Sequence, residues 1–250
     1  MKKRKISLII FIFLLSAVTV LCGVKIYSEL SERNREKQDF DKISSLVTDD
    51  ENKSDNNDEV QAEKKRNLDK LFQLNSDCIG WIYIPGTSVN YPVMHTPDNP
   101  QKYLRKDFYG NYSQSGVPFL DARCDLYNTN LIIYGHNMRN LSMFGKLKQF
   151  RDQTVFDSDA YFWVYTPEKI YKYEIFSCQE VGATSETYQL QFSDKKKFQE
   201  YIDSCFERSV LKRDIEVTSD DKIVTLSTCT GNSETRFLVQ GKLIETYKAV

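Results

Sequence analysis

Histidine is almost missing from this chain: His95 and His136 are the 2 histidines among 250 residues. That scarcity excludes a good deal of chemistry. Two distant histidines, with no CxxC and no HExxH spacing anywhere, make a poor zinc site, so no metal centre is expected. No glycine-rich phosphate loop and no GxSxG elbow occur, which removes the usual signatures of nucleotide-dependent enzymes and of serine hydrolases. Nothing else in the chain asks for a cofactor. An excess of one charge is also lacking: 34 Lys and Arg stand against 35 Asp and Glu, a net charge of -1, so the bulk composition gives no reason to expect nucleic acid as a partner. Internal repeats are absent.

What is present begins with the N-terminus. A basic cluster, Met1 to Lys5, precedes an uncharged, mostly apolar run from Ile6 to Val24. That run matches the roughly 20 residues a helix needs to cross a bilayer. Basic residues ahead of it favour an inside N-terminus, with everything after Lys25 outside. The competing reading is a cleaved signal peptide, but the run is long for one and no small-x-small cleavage site follows. Val20-Leu21-Cys22 resembles a lipoprotein signal except that Leu21 stands where a small residue is needed. An uncleaved single-pass anchor is therefore expected, with residues 1–5 in the cytoplasm, 6–24 in the membrane and the rest on the extracellular face of the cell membrane.

Residues 25–66 read as a spacer. Ser28 to Val47 is polar with sparse apolar residues and suits a helix standing off the membrane. Thr48 to Arg66 is almost wholly charged or amide and cannot bury enough apolar surface to fold alone. A folded domain is expected over 67–250, and its supply of core residues is ample, with 15 Tyr and 15 Phe in the chain. A short helix fits 68–74. Turn-punctuated strands fit 79–84, 89–94, 116–120, 130–134, 160–165 and 170–176, the last two forming a hairpin around Thr166-Pro167-Glu168-Lys169. Apolar residues at Phe198, Tyr201, Ile202, Cys205 and Phe206 have helical spacing, which predicts a helix over 193–211 with Ser193 as its N-cap. Many short strands with few helices indicate a mainly β fold, a barrel or a sandwich.

Cysteine is the remaining chemical resource. Cys78, Cys124, Cys178, Cys205 and Cys229 follow the apolar run, an odd number that leaves at least one free thiol. Most read as small buried hydrophobes. Cys229 differs: it ends the β-branched run Ile223-Val224-Thr225-Leu226-Ser227-Thr228, a polar loop follows, and Arg236 opens the next apolar run. Strand, loop, strand would set Cys229 beside Arg236, a thiol next to a fixed cation that suits a developing oxyanion. His136, in Tyr134-Gly135-His136-Asn137-Met138, follows a buried strand, where a rigid scaffold presents reactive side chains. His95 sits in a polar, proline-containing loop without that setting.

These residues carry a resemblance. TLSTC followed by Arg236, an upstream YGHNM and a single N-terminal anchor resemble a sortase, specifically of class B. Supporting stretches are NSDCIGWIYIPGTSVNYPVM at 75–94, YLRKDFYG at 103–110 and GVPFLDAR at 116–123. The resemblance implies a closed sortase-type β-barrel of about eight strands with a few peripheral helices, one of them between the histidine and cysteine strands. It implies a cysteine transpeptidase that cleaves the C-terminal sorting signal of secreted proteins at a Thr. The new carboxyl end would pass through a thioester on Cys229 to the amine of a peptidoglycan precursor in a Gram-positive envelope. Cys229 matches the nucleophile, His136 the acid/base and Arg236 the arginine. Leu104, Tyr134 and Ser227 fall where the family lines its sorting-signal groove, though each also reads as a core or strand residue. One departure is visible: Thr230 stands where several class B enzymes carry an Asp.

Three other readings are weaker. Papain-like peptidases place the cysteine before the histidine, the reverse of the order here. A pilin-polymerising sortase would bring a lid segment and a second membrane helix. A non-catalytic, membrane-anchored β-domain that binds wall or protein ligands predicts a dispensable Cys229, and hydrolysis without transfer is a close variant of the main reading.

Overall fold

The structure, a computed structural model, describes residues 2–47, 68–126, 128–158 and 160–249. The charged stretch expected to be a flexible spacer, Thr48 to Arg66, and the expected domain start at Asn67 lie outside the described residues. The chain divides into two compact units, Met1–Lys42 and Ile43–Val250.

The first unit lies within helix α1, Lys2–Val47. The anchor and the polar helix read separately from the sequence are one uninterrupted helix. Ile9 through Leu15 are all exposed, as are Val18, Val20, Leu21 and Val24. A helix that is apolar on every side and exposed to solvent is stable only against another apolar phase. By length and composition it can cross a membrane. Ile43 and Val47, which fall in the second unit, are buried.

In the second unit, helix α2 (Asp69–Leu74) leads into an antiparallel pair, β1 (Cys78–Tyr83) and β2 (Asn90–Met94). The short β3 (Phe119–Leu120) pairs with β2 in parallel and with β4 (Asn130–Tyr134) antiparallel. A strand was expected over 116–120, and its first half does not form. Gly116 has φ +58, off the strand region, and Pro118 has no N–H to give a ladder. A 3-10 turn (Gly145–Arg151) and helix α3 (Gln153–Ser158) follow. The predicted hairpin is β5 (Tyr161–Tyr165) and β6 (Lys169–Gly182), with Thr166 and Lys169 exchanging hydrogen bonds across the turn.

Helix α4 (Lys195–Arg208) is shorter than the predicted 193–211. Its N-cap is Asp194, not Ser193: the Asp194 carboxylate accepts from the Lys197 N–H, and the Ser193 hydroxyl donates to Asp194. Extended backbone at Ser209 ends it. The apolar stripe Phe198, Tyr201, Ile202 and Cys205 packs on Phe176 and Ile223, anchoring the helix beside the start of β7 (Ile223–Cys229). The last strand, β8 (Thr235–Lys248), pairs antiparallel with β7 on one side and β6 on the other.

Among the described residues these eight strands close a barrel in the order β1-β2-β3-β4-β7-β8-β6-β5, with β5 returning to β1. Strands β4 and β7 are parallel neighbours, and a parallel pair needs a long crossover. Strands β5 and β6 and helix α4 supply it. Both strands are buried on both faces until their last residues, which is why each reads as a continuous apolar run. Their carboxyl ends emerge together at one rim of the barrel.

Candidate active site

Register alone brings the predicted residues to that rim. Cys229, the last residue of β7, is the cross-strand partner of Arg236 in β8. Tyr134, the last residue of β4, pairs with Ser227, so two residues on, the chain leaving β4 carries His136 to the level of Cys229. Three hydrogen bonds tie this exit to β7. The Gly135 N–H donates to the Ser227 carbonyl (3.1 Å), the Thr228 hydroxyl donates to the Gly135 carbonyl (2.7 Å), and the Asn137 amide donates to the Cys229 carbonyl (2.8 Å). Asn137, next in the chain to His136, thus clamps the histidine loop to the cysteine strand.

His136 Nε2 lies 2.9 Å from the Leu104 carbonyl oxygen. A carbonyl can only accept, so Nε2 carries the proton and, in the neutral ring, Nδ1 holds the lone pair. Leu104 was expected, by resemblance, where the family lines its sorting-signal groove, or else in the core. It does line the cleft, and its backbone also sets the histidine tautomer.

The loop between Cys229 and Arg236 is braced. Lys148 donates to the Thr230 carbonyl at 3.0 Å, and the Thr230 and Thr235 hydroxyls are 2.5 Å apart. Arg236 Nη1 donates to the Ser233 and Thr235 carbonyls, at 2.8 and 2.9 Å, which holds one side of the guanidinium to the loop. In this chain Thr230 is fastened through neutral contacts and a lysine rather than through a carboxylate.

Cys229 is half-buried, whereas Cys78, Cys124, Cys178 and Cys205 are buried. Burial pushes the Cys124 thiol up to about 11 and the Cys78 thiol up to about 12, and it raises Cys178 and Cys205 as well. Buried thiols of this kind are poor nucleophiles near neutral pH because the thiolate is the reactive species. Brief treatment of the folded protein with an alkylating reagent at pH 8 is thus expected to label Cys229 first among these five. Peptide mapping reads the result, and earlier labelling of Cys124 would contradict this account.

The cleft has a volume of about 570 Å³ and is lined by Cys229, His136 and Arg236 together with Leu104, Tyr134 and Ser227. His95 is not among its lining residues. One wall is an aromatic pair, Tyr134 stacked on Tyr188 with centroids 6.2 Å apart. The Tyr188 and Ser227 hydroxyls are 2.8 Å apart, and Tyr134 donates to Asp121 Oδ2 at 2.8 Å. Burial and that carboxylate both raise the Tyr134 phenol, so it stays a hydrogen-bond donor. The lining residues Tyr188, Asp121 and Arg123 were not foreseen, nor was Lys148 behind the loop. GVPFLDAR held a signal for two of them, since an Asp two residues before an Arg at a strand exit suits a local ion pair. Tyr188 and Lys148 reach the site through long-range contacts that leave no local pattern.

The Sortase domain family matches residues 82–244 of this chain. Sortase B of Listeria monocytogenes (serovar 1/2a) is 30% identical over 232 residues, covering 91% of this chain and 92% of that protein. Among solved structures, a Staphylococcus aureus sortase B–substrate complex superposes with a TM-score of 0.74 at 26% identity, covering 86% of this chain and 99% of that one. A sortase B complexed with triglycine superposes with a TM-score of 0.74 at 27% identity, covering the same 86% and 99%.

Proposed function

The chain belongs to the sortase family, in its B class, and from that premise we propose the residues, substrate and setting of its reaction. It is a cysteine transpeptidase. The observation that carries the assignment of roles is the meeting of one half-buried thiol, one histidine and one strand-held arginine at the rim where β4 and β7 end.

The Cys229 thiolate attacks the carbonyl carbon of a Thr in the sorting signal. Arg236 stabilises the oxygen as negative charge develops there, with the Thr230 N–H beside it. The C–N bond breaks, and Nδ1 of the His136 imidazolium gives its proton to the leaving amine. A thioester on Cys229 remains. An incoming amine then loses a proton to Nδ1 and attacks the thioester, which forms the new amide and frees the thiolate. The acceptor is the amine of a peptidoglycan precursor. Solved sortase B structures with a substrate and with triglycine support a peptide donor and an amino-terminal acceptor for this chain also.

The apolar part of α1 suggests a membrane anchor. We place residues 1–5 in the cytoplasm, 6–24 in the bilayer, 25–66 as a spacer and 67–250 as the extracellular catalytic domain. Membrane fractionation with protease shaving of whole cells checks this order, and a protected catalytic domain would reverse it.

Mass spectrometry of the chain with a panel of sorting-signal peptides and a glycine-peptide amine tests the chemistry. An acyl adduct on Cys229 and an amide product, both missing in Cys229→Ala, are expected. Cleavage without transfer would remove the acceptor half of the reading. A folded protein that forms no adduct with any peptide would sink it.

A further inference from the structure

The sheet register gives the cleft a direction and a length. Cys229 stands two residues beyond the Tyr134–Ser227 pair, while the Asp121 N–H donates to the carbonyl of Ile132, two residues before it. Four residue steps therefore separate the thiol from the level of Asp121, about 13 Å at ~3.3 Å per residue. Asp121 and Arg123 line this far end of the same cleft.

Arg123 is built like a receptor and is not used as one within the protein. Its Nε and Nη2 form a fork on the Asp121 carboxylate at 2.9 and 2.8 Å, and its backbone N–H adds a third bond at 3.0 Å. Tyr134 donates to the same carboxylate. Burial alone would raise the Asp121 carboxyl, but the Arg123 side chain and N–H and the Tyr134 hydroxyl outweigh it and hold its pKa below the ordinary value. Asp121 is thus a fixed anion with its side chain 9% exposed, whereas the Arg123 side chain is 62% exposed. Nη1 of Arg123 has no partner among the described residues. A guanidinium already locked on one edge presents its remaining donors with little entropy left to lose.

A donor peptide has a constrained path through this cleft. Its scissile carbonyl must meet Cys229, and its leaving amine must meet His136, which lies past the end of β4. His136 is level with Cys229 by register, and the cleft extends from there past Ser227 and Tyr134 to Asp121, so that stretch is the path for the portion before the scissile bond. An extended peptide advances by about the same ~3.3 Å per residue as the strands beneath it.

We propose that Arg123, pinned by Asp121, is a specificity-determining residue. It reads an oxygen acceptor, carboxylate or amide, on the side chain four positions before the residue whose carbonyl Cys229 attacks. The inference rests on the assignment of Cys229 as the nucleophile.

The test is peptide binding to the full chain carrying Cys229→Ala in detergent micelles, read by fluorescence anisotropy. Three labelled peptides differ only at the fourth position before the Thr, which holds Asp, Asn or Ala. With Arg123 in place, the Asp and Asn peptides are expected to bind about tenfold tighter than the Ala peptide, a ratio typical of one charge-assisted hydrogen bond. Arg123→Ala is expected to bring all three within twofold of one another, with an unchanged circular dichroism spectrum reporting an intact fold. Arg123→Lys should keep some preference for Asp and lose that for Asn. Equal affinities in the presence of Arg123, or a preference that survives Arg123→Ala, would overturn the proposal. So would equal weakening of all three peptides, which signals a contact to backbone. Adducts on Cys229 of the unsubstituted chain without any such preference would sink this inference alone. Neither binding nor adducts with any peptide would sink the proposed function with it.

Discussion

His136→Ala is expected to lower kcat/KM for transpeptidation by about 10²–10⁴-fold, the range that positioned proton transfer supplies. The loss should fall in acylation, because the leaving amine departs unprotonated without the imidazolium. The pH profile carries more information than the size of the loss. Ordinary imidazoles and thiols titrate near ~6.5 and ~8.5, so a pair that works as imidazolium and thiolate gives a bell with two opposed limbs. The limbs belong to the coupled pair and not to either residue. In His136→Ala the alkaline limb should vanish, and the residual rate should climb with pH as thiolate forms. A variant that kept both limbs would show that some other group moves the proton.

Arg236 makes a useful contrast. Arg236→Ala is expected to cost about 10²–10³-fold in kcat, as loss of one oxyanion donor does, with both limbs of the profile retained. Arg236→Lys should recover little of it. The guanidinium spends donors on the Ser233 and Thr235 carbonyls while still lining the cleft, and a single ammonium cannot keep that geometry.

How much of this was legible in the sequence depends on the distance over which each feature is encoded. Cys229 and Arg236 are joined by a short loop, so strand, loop, strand predicts their pairing, and the register has them as direct partners. His136 is 93 positions from Cys229, and nothing local says that β4 and β7 are neighbours. Only their apolar character on both faces hints at a buried parallel pair, and the family resemblance supplied the rest. Strand ends were poorly legible because cross-strand partners decide them: β6 and β8 run far beyond their apolar centres by pairing with each other. The helix boundary erred by two residues where Ser193 and Asp194 both suit an N-cap, and the carboxylate is the side chain that meets the Lys197 N–H. Leu104 illustrates the deepest limit. The resemblance placed it at the groove, and its carbonyl also holds His136, a backbone role that is invisible in side-chain patterns.

Gly116→Ala is expected to damage fold and activity together, although Gly116 touches no reacting atom. Gly116 has φ +58, and a Cβ placed there would lie 2.4 Å from the Tyr103 carbonyl oxygen and 2.8 Å from that of Leu104. Both obstacles are backbone, so the Tyr103–Leu104 segment must move. Left-handed strain costs roughly 1–2 kcal/mol and overpacking typically a further 1–3 kcal/mol, which together would lower Tm by about 4–20 °C. Leu104 is the acceptor for His136 Nε2, so the same displacement tilts the imidazole and weakens its tautomer lock. Misplacement of a catalytic group on the ångström scale can cost about 10²-fold, and kcat should fall roughly 10- to 100-fold at a temperature well below the new Tm. Gly86→Ala separates the two effects. Gly86 has φ +68 with nothing within 4 Å of its Cβ position, in the turn between β1 and β2. It carries the backbone strain without the push on Leu104, so a loss of about 1–2 kcal/mol with unchanged kcat is expected. Calorimetry and single-turnover acylation on both variants decide the matter. Equal kcat losses at the two glycines would mean that general destabilisation, and not the Leu104 contact, governs the histidine.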